Sequence, residues 1–407
     1  MPWQHDRRTA RLEALDRTQL VPVTHEYMLL GMLSNQSTLP QTIVAGGSLD
    51  DLNQVAIDLW MGASPIYTHR MRSLMGIEGD DVPAIMKALQ LDVGFVHQYM
   101  YVHYLVKDAQ HGEFWLEHCG ALLNVEPFGE ERVVGMCHTI EDPTFDATAY
   151  ATNPRARIRP IHRPPRVPAD REPHCHWTIE IDPANDPVGP ARLTRQIGEL
   201  ALAGLPVTPR PAGDGYQGGF EPDFRLTRCS DATLAALAHE FAMQTHLLMC
   251  SGEIALGEHF GRDRARELLA DAWLATAWVG SERLERALGE TDLATIIALH
   301  PALPPGFARD VAVDGAHLRC TLTPATPELL DPDQPGWIGA LARGEMRGFD
   351  GLVRGFDPRA RVATLTVQDG SVDVDVLVEA DAPIEREPDA LAFMRIGTLA
   401  SWQFAFS

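Results

Sequence analysis

Two long stretches of the chain carry apolar residues at helical spacing. Residues 51–104 do so through Val55, Leu59, Met71, Leu74, Ile85, Leu89 and Val93, and residues 231–289 more strongly, through HEFAMQTHLLMCSGEIAL and RARELLADAWLATAWVGSERLERAL. Elsewhere the period drops to two, as in a strand with one face inward. Leu318, Cys320 and Leu322 alternate with His317, Arg319 and Thr321, and Val374, Val376, Val378 and Ala380 alternate with Asp373, Asp375, Leu377 and Glu379. EFWLEHC, ending at Cys119, and HCHWTIEID (174–182) read as further strands. RPIHRPPRVPADREP (159–173) is too rich in proline for a helix and reads as an extended loop into the last strand.

The pattern occurs twice. FDATAYATNPRAR (145–157) returns as FDGLVRGFDPRAR (349–361), so that Phe145, Asp146, Pro154, Arg155, Ala156 and Arg157 recur at 349, 350 and 358–361. EFWLEHC is echoed by GAHLRCT around Cys320, and HCHWTIEID by DVDVLVEAD (373–381). Gly79-Asp80-Asp81 and Gly261-Arg262-Asp263 read as matching turns of two helical hairpins. The expectation is an α+β fold of two tandem homologous halves, each a helical hairpin plus a small antiparallel sheet, related by a pseudo-two-fold axis. Residues 1–50 read as a partly helical N-terminal arm and 51–182 as the first half. Residues 183–230 read as a Pro/Gly-rich linker with one short helix, and 231–407 as a second, degenerate half. Transferring strand faces between halves turns Glu117, Cys119 and Cys175 toward the helices. His118, His174 and His176 then lie on the opposite sheet face, a placement that one bulge would scramble.

Charge narrows the function. Among 407 residues, 56 are Asp or Glu and 34 Lys or Arg, for a net charge of -22. Such an excess repels phosphate backbones and anionic lipid, which excludes nucleic-acid and membrane-surface roles. No run of about 18 apolar residues occurs and the N-terminus has no apolar signal core, so a soluble cytoplasmic protein is expected. A small-molecule substrate is the expected partner, and a homodimer is left open.

Six cysteines are too sparse for a disulfide framework. Three of them adjoin histidines: His118-Cys119, Cys137-His138 and His174-Cys175-His176. In one reading, Cys119, Cys137 and Cys175 converge between sheet and helix as thiol chemistry, with His138 as base, oriented by Asp142 or Asp146, and Glu141 one turn from Cys137. In a second, His118, His174 and His176, or two of them with Glu126 or Glu141, ligate zinc or non-haem iron. In a third, Cys and His merely line a small-ligand pocket without catalysis. Glu117, Arg159, Arg163 and Asn153 are candidate substrate contacts, although Asp146 and Asn153, matched by Asp350 and Asp357, also suit a turn role. At the places assigned to Cys137, His138 and Cys175 the second half has Leu341, Ala342 and Val374. Loss of reactive side chains on a retained scaffold points to one active and one structural half.

Between residues 114 and 181 the sequence resembles the L-2-amino-thiazoline-4-carboxylic acid hydrolase-like family. The matching positions are Cys119, Cys137 with Glu141 or Asp142, Asn153-Pro154, Arg159 and Cys175. The resemblance implies a cysteine-dependent hydrolase that opens a C=N or C–S bond of a small anionic substrate, with no cofactor. The histidines crowding each cysteine and the duplicated second half depart from the family's pattern.

Overall fold

The computed structural model describes residues 6–8, 11–379, 381–384 and 386–406. Ala380 and the first residues of the expected arm lie outside these. After β1 (Asp6–Arg8), helices α1 (Arg17–Thr38), α2 (Gln41–Val44), α3 (Leu49–Met75) and α4 (Val82–Leu89) lead into the strands β2 (Met100–Val106) and β3 (His111–Cys119). There follow α5 (Gly120–Val125), α6 (Glu130–Val134), a π turn (Gly135–Ile140) and α7 (Glu141–Tyr150), then β4 (Ala156–His162) and β5 (Cys175–Ile181). The linker carries α8 (Arg192–Gly198). The remaining elements are α9 (Asp231–Phe260), α10 (Arg262–Leu288), α11 (Leu293–Leu299), β6 (Phe307–Asp314), β7 (His317–Pro324), α12 (Gly336–Ala342), α13 (Arg347–Phe356), β8 (Ala360–Gln368) and β9 (Ser371–Val378).

The architecture is α+β with two antiparallel sheets, of strand order β2-β3-β5-β4 and β1-β6-β7-β9-β8. Apart from β1, the two orders are the same. Side-chain oxygens cap the two long N-terminal helices: Asp16 accepts from the Gln19 amide, and Ser48 and Asp51 form a reciprocal capping box. Asp81 caps α4 and Asp292 caps α11. The counterpart of the 79–81 turn is therefore the one at Asp292, and Gly261 instead separates α9 from α10.

Residues 17–38, expected in an arm, form a helix buried on nearly every side and packed against α9 and α10. Because no polar face remains, helical periodicity is faint there. The helix α9 packs in turn against α3. Two buried ion pairs tie this arrangement. Arg70 of α3 grips Glu240 of α9 through two hydrogen bonds of 2.8 and 2.9 Å, and Arg283 of α10 grips Glu26 of α1 at 2.6 and 3.0 Å. Each arginine is the twenty-second residue of its helix and each glutamate the tenth. The pairs thus occupy equivalent places and both join the chain's N-terminal helices to its central ones.

The sheet registers correct the alignment of the strands. Phe114 faces Trp177 and Leu116 faces Cys175 in one sheet, while Cys320 faces Val374 and Leu322 faces Val372 in the other. At the outer strands, Ala156 pairs Ile181 and Ala360 pairs Val378. Cys320 therefore stands where Phe114 does, not Cys119, and Val372 rather than Val374 replaces Cys175. The NPRAR turn is built alike twice. Asp146 accepts from the Ile158 amide at 2.9 Å and Asp350 from the Val362 amide at 3.4 Å, while Asn153 and Asp357 each accept from the amide two residues on, at 2.9 Å.

A bulge opposite Tyr101 and Val102 leaves Glu117 without a cross-strand partner. Leu116 and Cys119 both reach the core, but Glu117 turns outward to His103 at 3.1 Å. Its expected inward placement is wrong for that reason. Among the described residues, no helix is long and apolar enough to cross a membrane.

Candidate functional site

Between α1, α3, the first sheet and the helix running from Glu130 to Tyr150 lies a cavity of about 630 Å³. Its walls are mostly apolar, with Met32 of α1 and Leu39 just beyond it, Leu52 and Trp60 of α3, and Leu116 of β3. One stripe of the long helix, Arg132, Met136, Ile140, Glu141, Thr144 and Thr148, forms another wall. The π turn lies just before Pro143, which has no N–H for the carbonyl one turn back. The C-terminal tail crosses over and adds Phe393, Ile396 and Leu399. Gln36 donates to the Phe393 and Ile396 carbonyls at 2.8 and 2.9 Å, and Asn124 accepts from the Thr398 amide at 3.1 Å.

Glu141 is the chemically distinctive group. Its Oε2 is buried without a hydrogen-bond partner among the described residues. Burial, with the Arg163 charge opposing it, pushes the carboxyl up to about 8. Asp92, on another wall, is raised to about 6 by burial, against hydrogen bonds from the Gly94 amide at 2.7 Å and the Tyr67 hydroxyl at 3.2 Å. Asn35 Oδ1 and Arg132 Nη1, from two further lining residues, are also buried and unpartnered.

Cys119, Cys137 and Cys175 are all buried, free thiols close enough to Glu141 for its charge to act on each. The expected convergence of thiols is present, but its electrostatics oppose the expected chemistry. Burial first, then the Glu141 charge, pushes Cys119 up to about 12 and Cys137 and Cys175 well above the usual thiol range. Only Cys175 of the three lines the cavity. Cys119 Sγ accepts from the Leu122 amide at 3.3 Å and so caps α5.

The histidines are not arranged to assist these thiols. His138 Nε2 bonds to the Pro164 carbonyl at 2.7 Å. The carboxylates expected to orient it are engaged elsewhere, Asp142 with Arg163 and Asp146 with Arg159 at 2.8 and 2.9 Å. Arg159 and Arg163, expected as substrate contacts, are each paired with an aspartate, and Asn153 holds the turn. His174 Nδ1 accepts from the Cys119 amide at 3.3 Å, His118 stacks on Trp402 with ring centroids 5.4 Å apart, and His176 lies 3.0 Å from Glu113. Glu126 is paired with Arg166 at 3.0 Å. Among the described residues no three His, Cys, Asp or Glu side chains are grouped to hold a metal ion. The His118 and His174 ring centroids lie 6.2 Å apart, but His176 is engaged with Glu113, so the three-histidine grouping expected for zinc or iron does not form among the described residues.

Beside α10, the place that matches Trp60 is tightly packed. Trp273, the twelfth residue of α10 as Trp60 is of α3, stacks on Trp337 at 5.8 Å. It lies so close to Gly348 that a Cβ there would come within 1.8 Å of its ring. Glu345, at the repeat position of Glu141, is paired with Arg347 at 2.8 Å. Although burial raises its carboxyl, the bonds and charge of Arg347 prevail and hold it low.

Glu141 and Cys175, both singled out in the sequence, line the cavity, and so do Arg132 and Asp92, which were not. Arg132 is the one arginine in the Glu130–Tyr150 stretch and shares a helical face with Met136 and Ile140, a signal that was legible. Asp92 sits in an apolar stretch with no flanking motif to mark it. No family model, curated protein or solved structure matches the chain.

Proposed function

We propose that this protein is a small-molecule enzyme whose reaction takes place in the first-half cavity, with Glu141 as the proton-transfer group. The observation that carries the reading is a carboxyl in the wall of a mostly apolar cavity with one oxygen buried and unpartnered. A carboxyl that titrates near 8 is largely protonated at neutral pH and can act as a general acid. The reaction class is hydrolysis of a C=N bond. Glu141 protonates the nitrogen, water adds to the carbon, and the carboxylate recovers a proton from that water. The adduct then collapses to a carbonyl compound and an amine. The thiols stay neutral, with Cys175 as part of the wall, so no thiolate nucleophile is invoked.

The two halves are read as homologous, the second retained as scaffold. The matched Arg70–Glu240 and Arg283–Glu26 pairs support the common origin, and the packed tryptophans and paired Glu345 support the division of labour.

A pool of small metabolites incubated with wild type and with Glu141→Gln, and followed by mass spectrometry, tests this. Wild type is expected to convert a compound to products that together carry one added water, and the variant to slow that conversion at least about 100-fold. A compound that binds wild type but is never converted would instead favour the non-catalytic ligand-binding reading.

A further inference from the structure

We propose that the cavity takes an anionic amphiphile, whose carboxylate or phosphate head is bound by Arg132 and whose apolar body runs along the α6–α7 stripe beneath the C-terminal tail. This rests on the reading of the cavity as the substrate site and names the class of molecule that fills it. Arg132 lines the cavity, its Nη1 is buried without a hydrogen-bond partner, and no ion pair holds it among the described residues. Other arginines of this region have partners for their guanidinium groups: Arg70 pairs with Glu240, Arg163 with Asp142 and Arg166 with Glu126, while Arg72 donates to the Ala151 and Gly79 carbonyls. In a chain with 56 acidic residues, a guanidinium that lines a cavity with Nη1 buried and no carboxylate partner among the described residues can take an anion.

The body of the ligand follows from the walls. Arg132 and Thr148 mark the ends of the lining stripe, about 24 Å apart along the helix axis at 1.5 Å per residue, with Glu141 about 14 Å along it from Arg132. Met136, Ile140 and Phe145 lie between those ends, and Phe393 and Ile396 of the tail close over the cavity. Phe128 and Ile43, 55% and 44% exposed, belong both to the lining and to the protein surface, so the cavity opens at an apolar rim. An exposed apolar rim beside a cationic group suits a molecule with a charged head and a hydrocarbon body. A head held at Arg132 leaves the apolar body to reach Glu141, which separates recognition from the reacting bond.

Calorimetric titration of the full chain near pH 7 with dodecanoate and dodecyl phosphate below their micelle concentrations, and with dodecanol below its solubility limit, tests the proposal. Both anions are expected to bind at least about tenfold more tightly than the alcohol. Arg132→Gln should reduce the anions to the level of the alcohol, Arg132→Lys should retain the preference, and Glu141→Gln should leave it in place. Equal binding of alcohol and anions by wild type overturns the proposal. So does an anion preference that survives in Arg132→Gln, or the absence of binding by all three probes. The preference for a head group does not depend on turnover, so its failure is distinct from failure of the acid–base role of Glu141.

Discussion

At the scale of single residues, the contrast between Glu141 and Glu345 shows how surroundings decide what a carboxyl does. The two hold one repeat position, yet one is paired with Arg347 and the other is enclosed beside a cavity with an unpartnered oxygen. A burial-raised carboxyl couples folding to pH. Folded Glu141 keeps its proton to about 8, whereas the ordinary value is 4.5. Between those values the unfolded state binds fewer protons, so stability falls as pH rises, by at most about 1.4 kcal/mol per unit. Urea unfolding of wild type should show that decline, and Glu141→Gln should make it shallower. Identical slopes in the two proteins would place the titrating group elsewhere. The type of this residue and its helical position were legible in the sequence. Its lack of a partner was not, because Arg163, which could have paired with it, is bound to Asp142 instead.

At the scale of elements, strands and helices failed differently as predictions. Alternation read correctly along β5, where Cys175, Trp177, Ile179 and Ile181 are all buried. It failed at Glu117 because a bulge adds a residue to β3 that inspection of one strand does not reveal. The repeat alignment slipped at Cys320 because short apolar strands resemble one another in more than one register. The C-terminal tail had no motif, and its place over the cavity is set by side chains far away in sequence. Asn124 accepts from the Thr398 amide and donates to the Tyr99 hydroxyl at 2.7 Å, and a Cβ on Gly397 would come within 2.1 Å of its Oδ1. Asn124→Ala is expected to cost about 1–3 kcal/mol and to speed proteolysis of the tail beyond Phe393 in the native protein. An unchanged cleavage rate would mean that other contacts hold it.

At the scale of the whole molecule, the two sets of elements are bound into one body by pairs that cross between them. The Arg70–Glu240 and Arg283–Glu26 pairs are buried, so removing one partner strands the other's charge. Glu240→Ala is expected to cost about 3–5 kcal/mol, with calorimetry still showing a single transition. A separate early transition would show that the halves unfold independently. The sequence carried a trace of this arrangement in His25-Glu26-Tyr27 and His239-Glu240-Phe241, which hold matching places in α1 and α9. By itself the sequence determined the α+β class, the repeat around the NPRAR turn and the region of the candidate site, because periodicity and turn chemistry are local properties of the chain. Only the tertiary structure decided that α1 belongs to the bundle, that the thiols are held neutral, and that Arg132 and Glu141 border one cavity. Burial, charge and partnership depend on groups brought together from distant parts of the chain, and no local pattern records which of them will meet.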